Sequence, residues 1–235
     1  MIPRILHQTA PSKRLTPEEA RMRGRLRRRL PGWEMRLWDD DDNARLFRGA
    51  YPDHADRWDR ISSGVLKADI ARCLFLYHFG GWYFDTDYCL LKPIPADLMS
   101  ARCVLPISGH RNDLHLVCNS VLASVPRYPL WHDFVSHLLT NVELESIGEG
   151  TVEGTSGPLG LSRYLLPRLS QYSGLRLPPK TVFHPRVIWG GFHYDGDSNT
   201  CGIHWCWGSW RGKGPLRRFK NRLVRQWTSR CPLFQ

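Results

Sequence analysis

The run from Ser62 to Asp87 constrains this chain more than any other segment. Leu66, Ile70, Leu74 and Tyr77 recur at three- and four-residue spacing, which predicts a helix over Ser62–Phe79, capped by Ser62 or Ser63. Gly80-Gly81 ends it, and the apolar Trp82-Tyr83-Phe84 predicts a buried strand over Trp82–Asp85. The strand runs into Asp85-Thr86-Asp87. In an extended backbone, residues two apart point to one side, so both carboxylates are expected to converge on one ligand. Two hard oxygen donors at the end of a buried strand suit Mg²⁺ or Mn²⁺. A bare Asp-x-Asp is common and usually marks a solvated turn; the apolar run and double glycine before it argue otherwise. A glycosidase-like acid/base pair fits less well, because such carboxylates flank a bond from opposite sides.

The rest of the chain reads as alternating strands and helices, hence an α/β sheet with ligands at the carboxyl ends of its strands. Ile2–Gln8 and Trp33–Trp38 are early strands, with a helix over Pro17–Leu30 between them that opens on Thr16-Pro17-Glu18-Glu19. A helix from about Asn43 follows Asp39–Asp42. Cys89–Ile94, Arg102–Ile107, Leu116–Val125, Thr181–Ile188 and Ile203–Trp207 are further strands; Pro129–Val142 and Gly157–Gln171 are helices. Glu145–Ser156 is polar and Gly-rich, a candidate mobile loop. At 235 residues, this suits one domain over 1–210 and a basic tail over 211–235.

Seven scattered cysteines do not form a disulfide framework and favour a reducing compartment. The N-terminus runs straight into a strand, with no secretory leader, and no stretch reaches the ~18 apolar residues a span requires. The expectation is a cytoplasmic protein, or one peripheral on the inner face of a membrane. The net charge of +11 implies an anionic partner: nucleic acid, an anionic membrane surface or a phosphorylated ligand. Zinc-finger, RNA-binding and zipper patterns are missing, which argues against nucleic acid. In the tail, Leu216, Phe219, Leu223 and Trp227 fall at helical spacing among basic residues. That amphipathic helix fits a membrane surface and a cover for the domain's own core equally well. The Arg21–Arg29 cluster reads as a solvated helix face.

The segment Ser63–Pro93, with Asp69, Arg72, Gly80, Gly81, Tyr83, Asp85, Asp87 and Lys92, resembles the DXD-containing sugar transferases of glycosyltransferase family 32. These include mannosyltransferases, α-1,4-galactosyltransferases and capsular polysaccharide enzymes. Its D-x-x-R helix and GG-x-Y-x-D-x-D are also similar to the glucosylating domains of clostridial toxins. Ile2–Gln8, Trp33–Asp40, Thr155-Ser156-Gly157-Pro158 and His204 with Gly208-Ser209-Trp210 resemble the family's flanking elements, in its order. Trp82 departs from the aliphatic residue that family members often carry after the glycines. The resemblance implies a GT-A fold, one Rossmann-like domain with a mixed, mainly parallel sheet. It implies a retaining, metal-dependent transfer of a hexose from a UDP- or GDP-sugar, UDP favoured, to a glycan or glycolipid, as in surface polysaccharide synthesis. Mn²⁺ or Mg²⁺ would bridge Asp87, Asp85 and the donor diphosphate.

By themselves, Asp69 and Arg72 are three apart on a polar helix face and read as a surface salt bridge; the resemblance gives them the donor sugar hydroxyls and phosphate. His204 is either a third metal ligand or a satisfied core histidine. Cys201 and Cys206 beside it raise a zinc site, but no second ligand pair stands at the usual spacing. Ser209 and Trp210 are expected to donate to the leaving diphosphate. His7 and Gln8, at the end of the first strand, are nucleotide-contact candidates, or ordinary strand-end packing. Asn119 is the preferred residue facing sugar and acceptor, in a region with Ser120 and Asp113. A metal-dependent phosphohydrolase and a charge-driven nucleic-acid binder are the competing functions.

Overall fold

A computed structural model describes residues 1–111, 114–188, 193–207 and 215–230 of the chain. The first half follows the expected alternation. Strand β1 (Ile5–Thr9) leads to helix α1 (Pro17–Arg29), where Thr16 and Glu19 form a reciprocal capping box. Strand β2 (Glu34–Trp38) precedes α2 (Asp40–Ala50), which starts earlier than Asn43 because Asp39 caps it by accepting from Asp42 N–H. A short α3 (Ala55–Arg60) precedes α4 (Gly64–Phe79) and β3 (Gly81–Phe84). Gly80 and Gly81 both have positive φ, 62° and 95°. A Cβ on Gly81 would lie 2.6 Å from the Ile5 carbonyl oxygen, so the helix turns into the sheet here only without side chains.

The second half is more broken than its sequence suggests. Strand β4 covers only Tyr88–Leu90, ahead of α5 (Ala96–Ser100). The expected Arg102–Ile107 strand divides into β5 (Cys103–Val104) and β6 (Ile107–Arg111), and Leu116–Val125 into β7 (Leu114–Val117) and β8 (Val121–Ser124). Helix α6 (Pro129–Asn141) is followed by α7 (Val152–Thr155) and α8 (Pro158–Leu165), whose last turns tighten to a 3₁₀ helix over Leu166–Gln171. The Glu145–Ser156 stretch is therefore partly helical, and Ser156 is buried. Strand β9 (Leu175–Arg176) leads to α9 (Lys180–Phe183), where a strand was expected. Only β10 (Val187–Ile188), which pairs with β11 (His193–Tyr194), is extended there. Strand β12 (Gly202–His204) and helix α10 (Pro215–Arg230) complete the order.

The central sheet runs β2-β1-β3-β8-β5-β9. Pairs β1–β2, β1–β3 and β5–β9 are parallel, while β8 is antiparallel to β3 and β5: a mixed, mainly parallel sheet. Strand alternation divides the core. Tyr83 joins Ile70, Leu74, Trp131 and Phe134 on the α4/α6 face, whereas Trp82 and Phe84 join Leu26 and Phe183 on the α1 face. The Trp82 ring fills that second core, though its indole N–H is buried without a partner among the described residues.

A third cluster lies under α10. Val224 and Trp227 pack on Met22, Ile203, Trp205 and Trp207. The Arg25 guanidinium donates to the Thr228 carbonyl and Arg21 to Ser229 Oγ, so α1 and α10 are joined. The Arg21–Arg29 cluster is thus not simply a solvated face: Arg25 is buried and Arg23 donates to Gln8. The reason is that two basic helices meet and use each other's polar groups. No helix among the described residues is long and apolar enough to cross a membrane.

Candidate active site

A cleft of about 620 Å³ opens at the carboxyl ends of β1 and β3, within the size range of small-molecule sites. Asp69, Arg72, Asp85, Asp87, Asn119 and His204 all line it. Its floor is the segment after β3, where the sheet changes from parallel to antiparallel pairing.

On one wall stand Asp69 and Arg72. The surface reading of this pair does not hold: Asp69 is 3% exposed and Arg72 6%. Helix α4 is packed on most of its circumference, with Leu66, Ile70, Cys73, Leu74 and Phe75 also buried, so its polar residues face the cleft rather than bulk water. Asp69 Oδ1 lies 3.1 Å from the Arg72 guanidinium and accepts from Asn119 Nδ2 at 3.1 Å; Oδ2 accepts from Ser156 Oγ at 2.7 Å. Burial pushes the Asp69 carboxyl above the usual carboxylate range, against Arg72 and Ser156. Arg72 also donates to the Asn119 carbonyl, lies 3.6 Å from Asp85 Oδ1 and stacks 4.6 Å over the Tyr83 ring. Tyr83 in turn donates to Asp85 Oδ1 at 2.7 Å.

On the other wall the carboxylates converge, for a different reason than an extended backbone. Strand β3 ends at Phe84, and Tyr88 N–H closes a turn onto the Asp85 carbonyl at 3.1 Å. That turn brings Asp85, Asp87 and His204 ligand atoms within 4.8 Å of one another. His204 Nε2 is 2.9 Å from Asp87 Oδ1 and 3.5 Å from Asp85 Oδ2. The Trp207 backbone N–H donates to Asp87 Oδ2 at 2.7 Å. Burial alone would raise the Asp87 carboxyl, but His204 and the Trp207 N–H hold it below its ordinary value. His204 is correspondingly raised well above an ordinary imidazole, since Asp87 outweighs its desolvation. Two carboxylates and an imidazole in this space fit a divalent cation with hard-donor preference. His184 lies behind His204, Nε2 to Nδ1 at 3.2 Å, and its pKa is lowered to about 3 by burial and by His204.

His7 and Gln8 do not reach the cleft; both side chains are fully buried. His7 Nε2 donates to the Gly80 carbonyl at 2.9 Å and Nδ1 accepts from Trp38 Nε1 at 3.1 Å. Gln8 Oε1 accepts from Arg23, and its amide donates to the Asp85 carbonyl at 3.3 Å. They join β1 to its neighbours, and Thr9, Ala10 and Pro11 present the cleft surface instead. Ser209, Trp210 and Asp113 lie outside the described residues. Sequence reasoning missed Tyr83 and His184 as wall residues and Ser156 behind Asp69, and weighed Cys206 only for a zinc site. Tyr83 and Ser156 stand inside motifs that were read; His184 falls in an expected strand and carries no local signal.

The sequence signature described as "Glycosyltransferase sugar-binding region containing DXD motif" matches residues 16–105. The chain is 27% identical over 188 residues to inositol phosphoceramide mannosyltransferase 2 of Schizosaccharomyces pombe, covering 80% of this chain and 52% of that protein. It is 28% identical over 181 residues to mannosyl phosphorylinositol ceramide synthase SUR1 of Saccharomyces cerevisiae, covering 76% and 44%. The chain thus spans about half the length of the curated relatives it matches. Among solved structures, the PaToxG glycosyltransferase superposes with a TM-score of 0.52 at 15% identity over 72% of each chain, a likeness of fold. Signature and relatives make the chain similar to DXD-containing glycosyltransferases over these residues, and the fold is that of the GT-A glycosyltransferases.

Proposed function

We propose that this protein transfers a hexose from a nucleoside-diphosphate sugar to a glycan or glycolipid, with retention at the anomeric carbon. The observation that carries this reading is the cleft itself. It sets a buried acid–guanidinium pair, Asp69 and Arg72, across from a carboxylate pair and an imidazole. Asp85, Asp87 and His204 would hold Mn²⁺ or Mg²⁺. When bound, that cation neutralises charge on a diphosphate leaving group. Arg72 and Asp69 present a fixed donor and acceptor to the sugar and its phosphate. Asp69 has accepted three partners, so about one of its roughly four lone-pair sites is left for a sugar hydroxyl. Asn119 is held by Asp69 and faces the same space, where it meets sugar or acceptor. The names of the relatives support mannose as the hexose and a phosphoinositol lipid as the acceptor. The base, UDP or GDP, is read by the Thr9–Pro11 end of the cleft. Helix α10, with Arg222 and Leu223 exposed, is a surface for anionic lipid.

The test is release of nucleoside diphosphate from a panel of UDP- and GDP-sugars with and without Mn²⁺. One donor is expected to be hydrolysed in a metal-dependent way, and Asp87→Ala to lose that activity. Turnover that survives Asp87→Ala, or release of inorganic phosphate from simple esters without a sugar requirement, would overturn the assignment.

A further inference from the structure

Behind the carboxylates, a second ligand set shares one residue with the first. His204 Nδ1 points away from Asp87 and lies 3.2 Å from His184 Nε2 and 3.2 Å from Cys206 Sγ. All three donor atoms fall within 4.8 Å of one another. Cys206 is the exposed one among the described free cysteines; the others are buried. Its backbone has φ 51°, a left-handed conformation uncommon for a residue with a side chain. That conformation turns the thiol back onto the His204 ring directly after β12. Strain of this kind persists where the surroundings fix it, and such places cluster at functional sites.

We propose that His184, His204 and Cys206 form a second cation site, selective for a soft divalent ion such as Zn²⁺. Two imidazoles and a thiolate are a zinc donor set, and three protein ligands leave the fourth tetrahedral position open at the cleft. Binding releases the Cys206 thiol proton and any proton on His204 Nδ1 to solvent, and the metal takes up three lone pairs, from Cys206 Sγ, His204 Nδ1 and neutral His184 Nε2. His204 keeps Nε2–H and donates it to Asp87 Oδ1. This is the usual arrangement of a metal-bound histidine, its second nitrogen oriented by a carboxylate. In that state His204 is no longer a lone-pair donor for a hard cation at Asp85 and Asp87. Zn²⁺ at the soft site therefore weakens Mn²⁺ binding at the hard one, by about tenfold, the scale of an outer-shell change.

Co²⁺ reports which site is filled. Titrated into the full chain, it is expected to produce thiolate-to-metal charge-transfer absorption that Zn²⁺ bleaches. Asp85 and Asp87 carry no sulfur and yield no such band. The band should vanish in Cys206→Gly, which suits the positive φ and so keeps the fold. It should weaken in His184→Gln and persist in Cys231→Ser. A silent titration, or a band that survives Cys206→Gly, overturns the proposal. So does Mn²⁺ affinity, read by electron paramagnetic resonance, that is unchanged by saturating Zn²⁺.

Discussion

On one wall of the cleft, Asp69 accepts from Asn119 and Ser156 and pairs with Arg72, all three delivered by different elements. On the other, Asp87 faces one histidine and one backbone N–H, delivered by a three-residue strand and the segment after it. The first wall pairs its charges internally and belongs to the folded core. On the second, His204 is the charged side chain against Asp87, and in the proposed function a cation joins them. The same residue type, a buried aspartate, therefore serves mainly structure on one side and, in the proposed function, mainly ligand binding on the other. The charge balance around each decides which.

Substitutions should separate these roles. Asp87→Asn removes the charge that the proposed cation requires, and donor hydrolysis should fall on the order of a thousandfold, about 4 kcal/mol in barrier. Single-turnover release of nucleoside diphosphate measures it; retention of activity within roughly tenfold would erase the contrast. Asp69→Ala should act on the fold as well as on the donor. It leaves the Arg72 guanidinium buried beside fewer partners, and breaking such a pair costs about 3–5 kcal/mol. Urea unfolding should show that loss, while Mn²⁺ still raises the melting temperature of whatever remains folded. A loss below about 1 kcal/mol would mean that Asp85 and Tyr83 hold Arg72 unaided.

Acid should act first on His7, which lies away from both walls under Trp38 and Phe75. Burial lowers the His7 pKa from 6.5 to about 4. Between those values the unfolded chain binds the proton and the folded chain does not. The His7 contribution is therefore complete above pH 6.5, declines as pH falls, and is gone below about 4. The range corresponds to about 3 kcal/mol. Urea midpoints across it should show this slope, and His7→Gln should flatten it. A smaller effect belongs to Glu145, which accepts from Arg57 and Arg60. Arg57 holds its carboxyl at about 2, against an ordinary 4.5. That stabilisation is present above pH 4.5 and lost as pH falls through 2. The pair is partly solvated, so Glu145→Gln should cost only about 1 kcal/mol at neutral pH. If it costs nothing, the segment leading to Ser156 is not fixed from this end.

The structural wall was readable largely because its pieces are long. Helix α4 and strand β3 declare themselves by period, glycines and apolar content, and they fix where Asp69, Arg72 and Asp85 stand. What was not readable is why the pair is buried: the partners Asn119 and Ser156 come from the break between β7 and β8 and the end of α7, both too short for periodicity. The far wall was read only in part. His204 was one of two open readings. His184 follows a one-turn helix in a stretch with the composition of a strand. The Asp85–Tyr88 turn has no glycine or proline to announce it. His7 looked like a ligand residue because it ends a strand, yet the ring lies under Trp38 and Phe75, stacked at 6.0 and 5.6 Å between centroids.

Trp207 ties the end of the chain to the cleft through a single residue. Its backbone N–H holds Asp87, and its indole Nε1–H donates to Thr228 Oγ1 on α10 at 2.9 Å. The position of the last helix and the electrostatics of the carboxylate are thus thermodynamically linked. Anything that lifts α10 from its bed, a lipid surface included, loosens the hold on Asp87. By reciprocity, occupancy at Asp87 should steady α10. Amide exchange in α10 that slows on adding Mn²⁺ would make the tail a gauge of what the cleft contains.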